Sequence, residues 1–172
     1  MRKKKYDVLF PHRLSPDKGI EDLIEIIKRL PTIKFAIISP QIDAIMRLNP
    51  YYKKIRKFSN VEFILGEDDK QHNKTISSAR VVLSCAKQET FGYSVMKSVL
   101  SGCIPVLPQN QCYTEFFKKE YLYQNLTEAI KMIKKHTSIK LINQSQQRDF
   151  MFFKKNNPEF SFKNHFQDFF EK

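Results

Sequence analysis

Short runs of apolar, β-prone residues alternate along this chain with longer segments whose apolar positions recur at helical spacing. The first run, YDVLFPH (6–12), predicts a strand. It leads into GIEDLIEIIKRL (19–30), where Ile20, Leu23, Ile24, Ile27 and Leu30 share one helical face. IKFAIIS (33–39) reads as a buried strand. QIDAIMRLNPYYKKIRKF (41–58) has helical character but breaks before Pro50, because the residue preceding a proline is pushed out of the helical region. VEFIL (61–65), VVLS (81–84) and IPVLP (104–108) predict further strands. Helices are expected near 70–79, from about 92 to 101, near 114–119 and over 126–136. One or two more are expected in 138–171, broken near NNP (156–158).

Strand–helix alternation of this kind predicts an α/β fold, a parallel sheet covered by helices on both faces. Right-handed crossovers make it a doubly wound, Rossmann-like domain, here with C-terminal helices. The 172 residues suit a single domain spanning 1–172. Ligands of such sheets bind beyond the C-terminal ends of the strands. The segments of interest are therefore 11–19, 39–43, 65–70, 84–94 and 108–114.

Composition narrows the class. Apolar content of 41% with 13% aromatics excludes a disordered chain. No apolar run approaches the roughly 18–20 residues of a membrane span. The start MRKKKYDVLF has no signal-peptide core, so a soluble, cytoplasmic protein is expected. Cys85, Cys103 and Cys112 have no paired spacing and are expected as buried thiols in a reducing compartment. His12, His72, His136 and His165 are scattered, and no metal site is expected. The net charge of +12 has two readings. It suits attraction to nucleic acid, an acidic glycan or an anionic membrane. Equally, Lys outnumbers Arg 23 to 7 among abundant Asn, Ile and Phe, a bias that A/T-rich codons produce without selection for binding.

Two strand-end segments are equipped for a phosphate. HRLSPDKG (12–19) places Arg13 and Lys18 together, a planar fork of donors and a compact charge suited to a diphosphate. The plainer reading is a basic loop in which Ser15, Pro16 and Asp17 start a helix. ETFGYS (89–94) places Gly92 where the backbone can approach a ligand, with the N–H groups of Gly92, Tyr93 and Ser94 aimed at an anion. Glu89 can accept hydrogen bonds from sugar hydroxyls, or it can simply complement the helix dipole, worth about 0.3–1 kcal/mol. Phe91 reads as a core anchor.

RLSPDKG followed by SSARVVLSCAKQETFGYSVMKSVLSGCIPVLP resembles the C-terminal, donor-binding domain of retaining GT-B glycosyltransferases, in matching order from about Tyr6 to Pro108. FSFKNHFQDFF near the end resembles the closing helix of that family. Within it, SGCIPVLPQNQCYTEFFKKEYLY is most similar to enzymes that glycosylate the modified base queuosine in tRNA. The resemblance implies that Arg13 and Lys18 hold the donor diphosphate, Glu89 meets the transferred sugar, and the Phe91–Ser94 backbone completes the phosphate cradle. It also implies a UDP- or GDP-linked donor and no separate cofactor. A separate N-terminal acceptor domain or subunit is implied as well, with tRNA or DNA as a possible acceptor.

Lys97 departs from the family, whose members carry a second Glu eight residues after the first to bond both ribose hydroxyls. An ammonium only donates, so it cannot accept from a diol. Three roles stay open for it: binding a donor phosphate, pairing with Glu89, or snorkelling to solvent with ribose recognition weakened. The chain also begins at the first strand of the donor domain. That fits an excised half, a free-standing half with a partner, or a non-catalytic basic module that binds nucleic acid or a partner subunit. No GxGxxG follows the first strand, which counts against a dinucleotide cofactor.

Overall fold

The computed structural model describes residues 4–39, 47–65, 74–110 and 112–138. The chain divides into two compact units, Met1–Lys140 and Leu141–Lys172, and every described residue belongs to the first. The helices expected over 138–171, the closing FSFKNHFQDFF among them, lie outside the described residues apart from Ser138.

Six strands form one sheet: β1 (Tyr6–Phe10), β2 (Phe35–Ser39), β3 (Val61–Leu65), β4 (Ala79–Leu83), β5 (Ile104–Pro108) and β6 (Leu122–Tyr123). Their order is β3-β2-β1-β4-β5-β6, and every neighbouring pair is parallel. The chain thus builds outward from β1 through β2 to β3, then returns to the other side of β1 with β4. This is the expected doubly wound α/β sheet, and β1 and β4 flank its switch point. Val8 is in register with Phe35 on one side and Val81 on the other.

Helices with both ends among the described residues are α1 (Ile20–Arg29), α2 (Pro50–Ile55), α3 (Tyr93–Leu100), α4 (Tyr113–Phe116) and α5 (Leu126–Ser138), with 3-10 turns at Pro16–Lys18 and Lys119–Tyr121; residues 74–77 are helical too. The break before Pro50 is present. Residues 47 and 48 are helical, Asn49 leaves the helix, and its side chain accepts from the amides of Tyr51 and Tyr52 to start α2. In α1 the buried face is Ile20, Leu23, Ile26 and Ile27, so Ile26 takes the place expected of Ile24, which is only partly buried. The two-residue β6 was not foreseen, and the short helix starts at Tyr113 rather than 114.

Each face of the sheet has its own core. On one, Val8, Phe10, Val81, Leu83 and Val106 pack against α1 and Ile133 of α5. On the other, Leu9, Val82 and Leu107 pack against Val95 of α3, Tyr113 and Ile76. Cover on both sides explains why β2, up to its final Ser39, and β5 are apolar without alternation and buried at every residue. Each fully buried Leu, Ile or Phe contributes about 1.5–3 kcal/mol, which fixes the two strand ends that carry the site. Cys85, Cys103 and Cys112 are buried, unpaired thiols. Burial pushes Cys85 and Cys103 up to about 12. Among the described residues no helix is long and apolar enough to cross a membrane.

Candidate functional site

The loops after β1 and β4 interlock. The backbone of Gly19, at φ 66°, lies so close to Cys85 that a Cβ would fall inside the Cys85 carbonyl. Only glycine satisfies both the left-handed backbone and that approach. The carbonyl of Asp17 accepts from the amides of Lys87 (2.8 Å) and Gln88 (3.3 Å). These contacts carry Lys18 across to the second loop. Its Nζ donates to the Gln88 carbonyl at 2.9 Å and to Glu89 Oε2 at 3.1 Å, with Asp17 Oδ2 at 3.6 Å. The Lys18 and Glu89 side chains are 15% and 14% exposed, so this ion pair is largely withdrawn from water.

Arg13 sits differently. Its side chain is 59% exposed and donates to Ser15 Oγ and Asp17 Oδ2, each at 3.0 Å. Hydrogen bonding from Ser15, then from Arg13, holds the Asp17 carboxyl below its ordinary range. Arg13 and Lys18 therefore share Asp17 as a common anion.

Gly92, at φ 77°, starts α3 with no side chain capping its first-turn amides. A Cβ on Gly92 would meet the Tyr113 ring at 3.0 Å and lie 3.5 Å from Glu89 Cγ. Phe91 is half-buried and packs against Tyr93 and Phe116, as an anchor would. Tyr93 is 60% exposed, while Ser94 and Lys97 are half-buried. Lys97 lies more than one turn into α3, and its carbonyl accepts from Ser101. Of the sequence-predicted residues, Lys18 and Glu89 meet directly across the switch point, Gly92 lies beside Glu89, and Arg13 bonds within its own loop.

Sequence reasoning missed a buried polar cluster beneath Glu89. His12 is 6% exposed, with Nδ1 4.0 Å from Glu89 Oε2 and Nε2 3.0 Å from Ser84 Oγ. Burial pushes its imidazole down to about 4; Glu89 opposes that shift and Lys18 adds to it. Ser84 Oγ also accepts from the Ala86 amide (3.2 Å) and the Tyr113 hydroxyl (3.1 Å), and its carbonyl accepts from the Tyr123 hydroxyl (2.9 Å). The signal was present: His12 and Ser84 are the first polar residues after the apolar runs of β1 and β4. Among the described residues no cluster of His, Cys, Asp and Glu could hold a metal ion.

A curated relative, the tRNA-queuosine alpha-mannosyltransferase of Drosophila melanogaster, is 25% identical over 133 residues. The match covers 72% of this chain and 33% of the relative, so the chain spans about a third of that protein. Among solved structures, sucrose-phosphate synthase from Thermosynechococcus elongatus superposes with a TM-score of 0.64 at 14% identity, over 97% of this chain and 46% of that one. The pneumococcal O-GlcNAc transferase GtfA, solved in complex with UDP and GlcNAc, superposes at 0.55 with 19% identity, over 78% of this chain and 28% of that one. These likenesses establish the fold as that of a GT-B glycosyltransferase domain. The family model for glycosyl transferases group 1 matches residues 1–129, three quarters of the chain, and the chain belongs to that family.

Proposed function

We propose that this chain binds a nucleoside diphosphate sugar and forms the donor half of a retaining glycosyltransferase, completed by an acceptor domain or subunit. The observation that carries this reading is the Lys18–Glu89 contact, which joins a phosphate-type cation on one strand end to a sugar-type carboxylate on the next. In group transfer from such a donor, negative charge builds on the departing diphosphate. Preorganised donors aimed at that charge lower the barrier, and this role falls to Arg13, Lys18 and the α3 amides after Gly92. Glu89 accepts from hydroxyls of the transferred sugar and fixes its orientation. The UDP held in the GtfA complex makes UDP and its sugars the first donors to test.

Calorimetry with UDP-, GDP- and ADP-sugars tests the reading. Binding of one of them is expected, and Arg13→Ala and Lys18→Ala are each expected to lose about 1.5–3 kcal/mol, the worth of a charge-assisted hydrogen bond. If both variants bind as the native chain does, the site is wrongly assigned. If no nucleotide binds, the non-catalytic module is the better description.

A second observation favours a nucleic-acid acceptor. Arg47, Lys53, Lys54, Arg56 and Lys57 are all exposed, and no Asp or Glu stands between Asp43 and Glu62. Asn49 Nδ2 donates to the Leu14 carbonyl (2.9 Å), which ties this basic helix to the residue beside Arg13. The name of the Drosophila relative makes tRNA the acceptor to try first. Binding should fall steeply with salt as phosphate counterions are released. Salt-insensitive or absent binding would return the +12 charge to codon bias.

A further inference from the structure

The described residues hold one exposed aromatic side chain, Tyr93, which is 60% exposed at the first position of α3. A lone exposed ring is ordinary on a protein surface, but this one is the outer member of a stack. Its centroid lies 4.7 Å from that of Phe91 at an angle of 51°, and Phe91 meets Phe116 edge to face at 5.4 Å. Both inner rings are half-buried. The backbone between Phe91 and Tyr93 is pinned as well. A Cβ on Gly92 would meet the buried Tyr113 ring at 3.0 Å, and Tyr113 is bonded through its hydroxyl to Ser84, just past the end of β4. Tyr93 is therefore a ring braced from beneath with most of its surface in water. It stands next to the carboxylate of the site, since Glu89 Cγ is 3.5 Å from the same Cβ position.

Charge decides what such a ring faces. The charged residues on and just after α4, Glu115, Lys118, Lys119 and Glu120, cancel one another. The unbalanced positive charge lies instead on α2, which Asn49 ties to the loop after β1. Because β1 and β4 are neighbours in the sheet, the basic helix start and the aromatic stack open on the same end of it. Separate surfaces for charge and for a ring face suit an unpaired nucleotide strand, whose backbone is held by cations while a base lies on an aromatic ring whatever its identity. A duplex keeps its base faces inside its own stack. Resting on the nucleic-acid acceptor reading above, we propose that Tyr93 is the stacking platform for an unpaired base of the acceptor, with α2 holding phosphates of the same strand. A base laid on Tyr93 is one residue from Gly92 and hence beside Glu89, the group assigned to the transferred sugar. The platform thus brings the acceptor to the sugar by shape and leaves the choice of base to other contacts.

The chain has no tryptophan, so Tyr93→Trp in the full chain puts a single indole on the platform, and a base stacked on it quenches its fluorescence. The probes are a single-stranded RNA of about ten nucleotides, within the span that one single-strand-binding module covers, the duplex of the same sequence, and UDP. The single strand is expected to quench the indole and the duplex to leave it bright. Tyr93→Ala should weaken single-strand binding on the order of tenfold, the worth of one stacked base, with the salt dependence unchanged because no phosphate contact is lost. Tyr93→Phe should bind as the native chain does, since the ring face and not the hydroxyl makes the contact. Lys53→Ala with Lys54→Ala should do the reverse, flattening the salt dependence while the indole at position 93 is still quenched at saturation. RNA that binds without quenching, or that binds Tyr93→Ala as tightly as the native chain, overturns the platform and leaves the nucleic-acid reading standing. An equal loss in Tyr93→Phe and Tyr93→Ala overturns it too. RNA that fails to bind even at low salt sinks the nucleic-acid reading and the platform with it. Quenching by UDP in place of RNA gives the ring to the donor's own base and overturns the proposal.

Discussion

Arg13 and Lys18 are five residues apart on one loop and carry the same charge, yet they live under different physics. Arg13 satisfies itself within its own turn, on Ser15 and Asp17, with more than half of its side chain in water. Lys18 reaches across the switch point to a residue 71 positions later and is largely buried there. An exposed local pair is screened and worth about 0–1 kcal/mol. A buried pair made by two distant segments costs far more to break, because the surviving charge cannot recover its water. The local pair shapes the loop, whereas the distant pair reports whether the two loops are docked.

Gly19 is the position where that contrast breaks most completely. Gly19→Ala forces a side chain into the Cys85 carbonyl at a left-handed backbone, and should cost about 3 kcal/mol or more in urea unfolding. It should separate Lys18 from Glu89 while leaving the Arg13–Asp17 turn intact, and crystallography of the variant would show both.

Acid should divide the two regions next. His12 is held down to about 4 in the fold against an ordinary 6.5, so the unfolded chain binds its proton first as pH falls. Stability is therefore whole above about pH 6.5 and is lost as pH falls toward 4, by about 3 kcal/mol in all. His12→Phe should flatten that stretch of the pH–stability curve. Asp17 is depressed in the fold, so its contribution is present above the ordinary carboxylate range and is lost only below it. The Arg13 side of the loop should thus persist through the interval in which the His12 side fails.

Smaller still is the direct comparison of the carboxylates. Glu89→Ala leaves the largely buried Lys18 with only the Gln88 carbonyl and the more distant Asp17 and should cost about 2 kcal/mol in stability, whereas Asp17→Ala should cost less than about 1 kcal/mol and be partly masked by salt. Equal losses would mean that burial does not distinguish the two pairs.

The smallest expected effect lies at Lys97, one helix turn beyond the loops. Lys97→Glu restores acceptors for a ribose diol, and its preference for UDP over dUDP should exceed that of the native chain by about 1 kcal/mol, one hydrogen bond's worth. Identical UDP and dUDP affinities in the native, Ala and Glu forms would remove Lys97 from the site.

What could be read in the sequence was set by how local each cause is. The strands and helices came from periodicity, and the break before Pro50 from the stereochemistry of the proline ring, causes confined to a few neighbouring residues. Arg13, Lys18, Glu89 and Gly92 were visible because their residue types sit at strand ends. The Lys18–Glu89 bond was not, because it depends on β1 and β4 being neighbours in the sheet, which no window of sequence contains. His12 escaped for the same reason: a histidine after a strand gains meaning only when Ser84 and Tyr113 are folded against it. Ile26 displaced Ile24 because the buried face of α1 is set by what it packs on, α5 included. β6, at two residues, is too short to leave a pattern.

The return of the chain from β3 to the far side of β1 also makes this fold separable into modules. The part up to β3 carries Arg13 and Lys18, the part from β4 onward carries Glu89 and the glycine-started helix, and the two halves meet along the β1–β4 seam. A crossover between related genes placed in the β3–β4 connection would exchange one half-site whole, without cutting any strand pair inside either half. Chimeras made there would join the Arg13 and Lys18 of one parent to the Glu89 and glycine-started helix of the other, provided that Gly19 and Cys85 still meet across the seam.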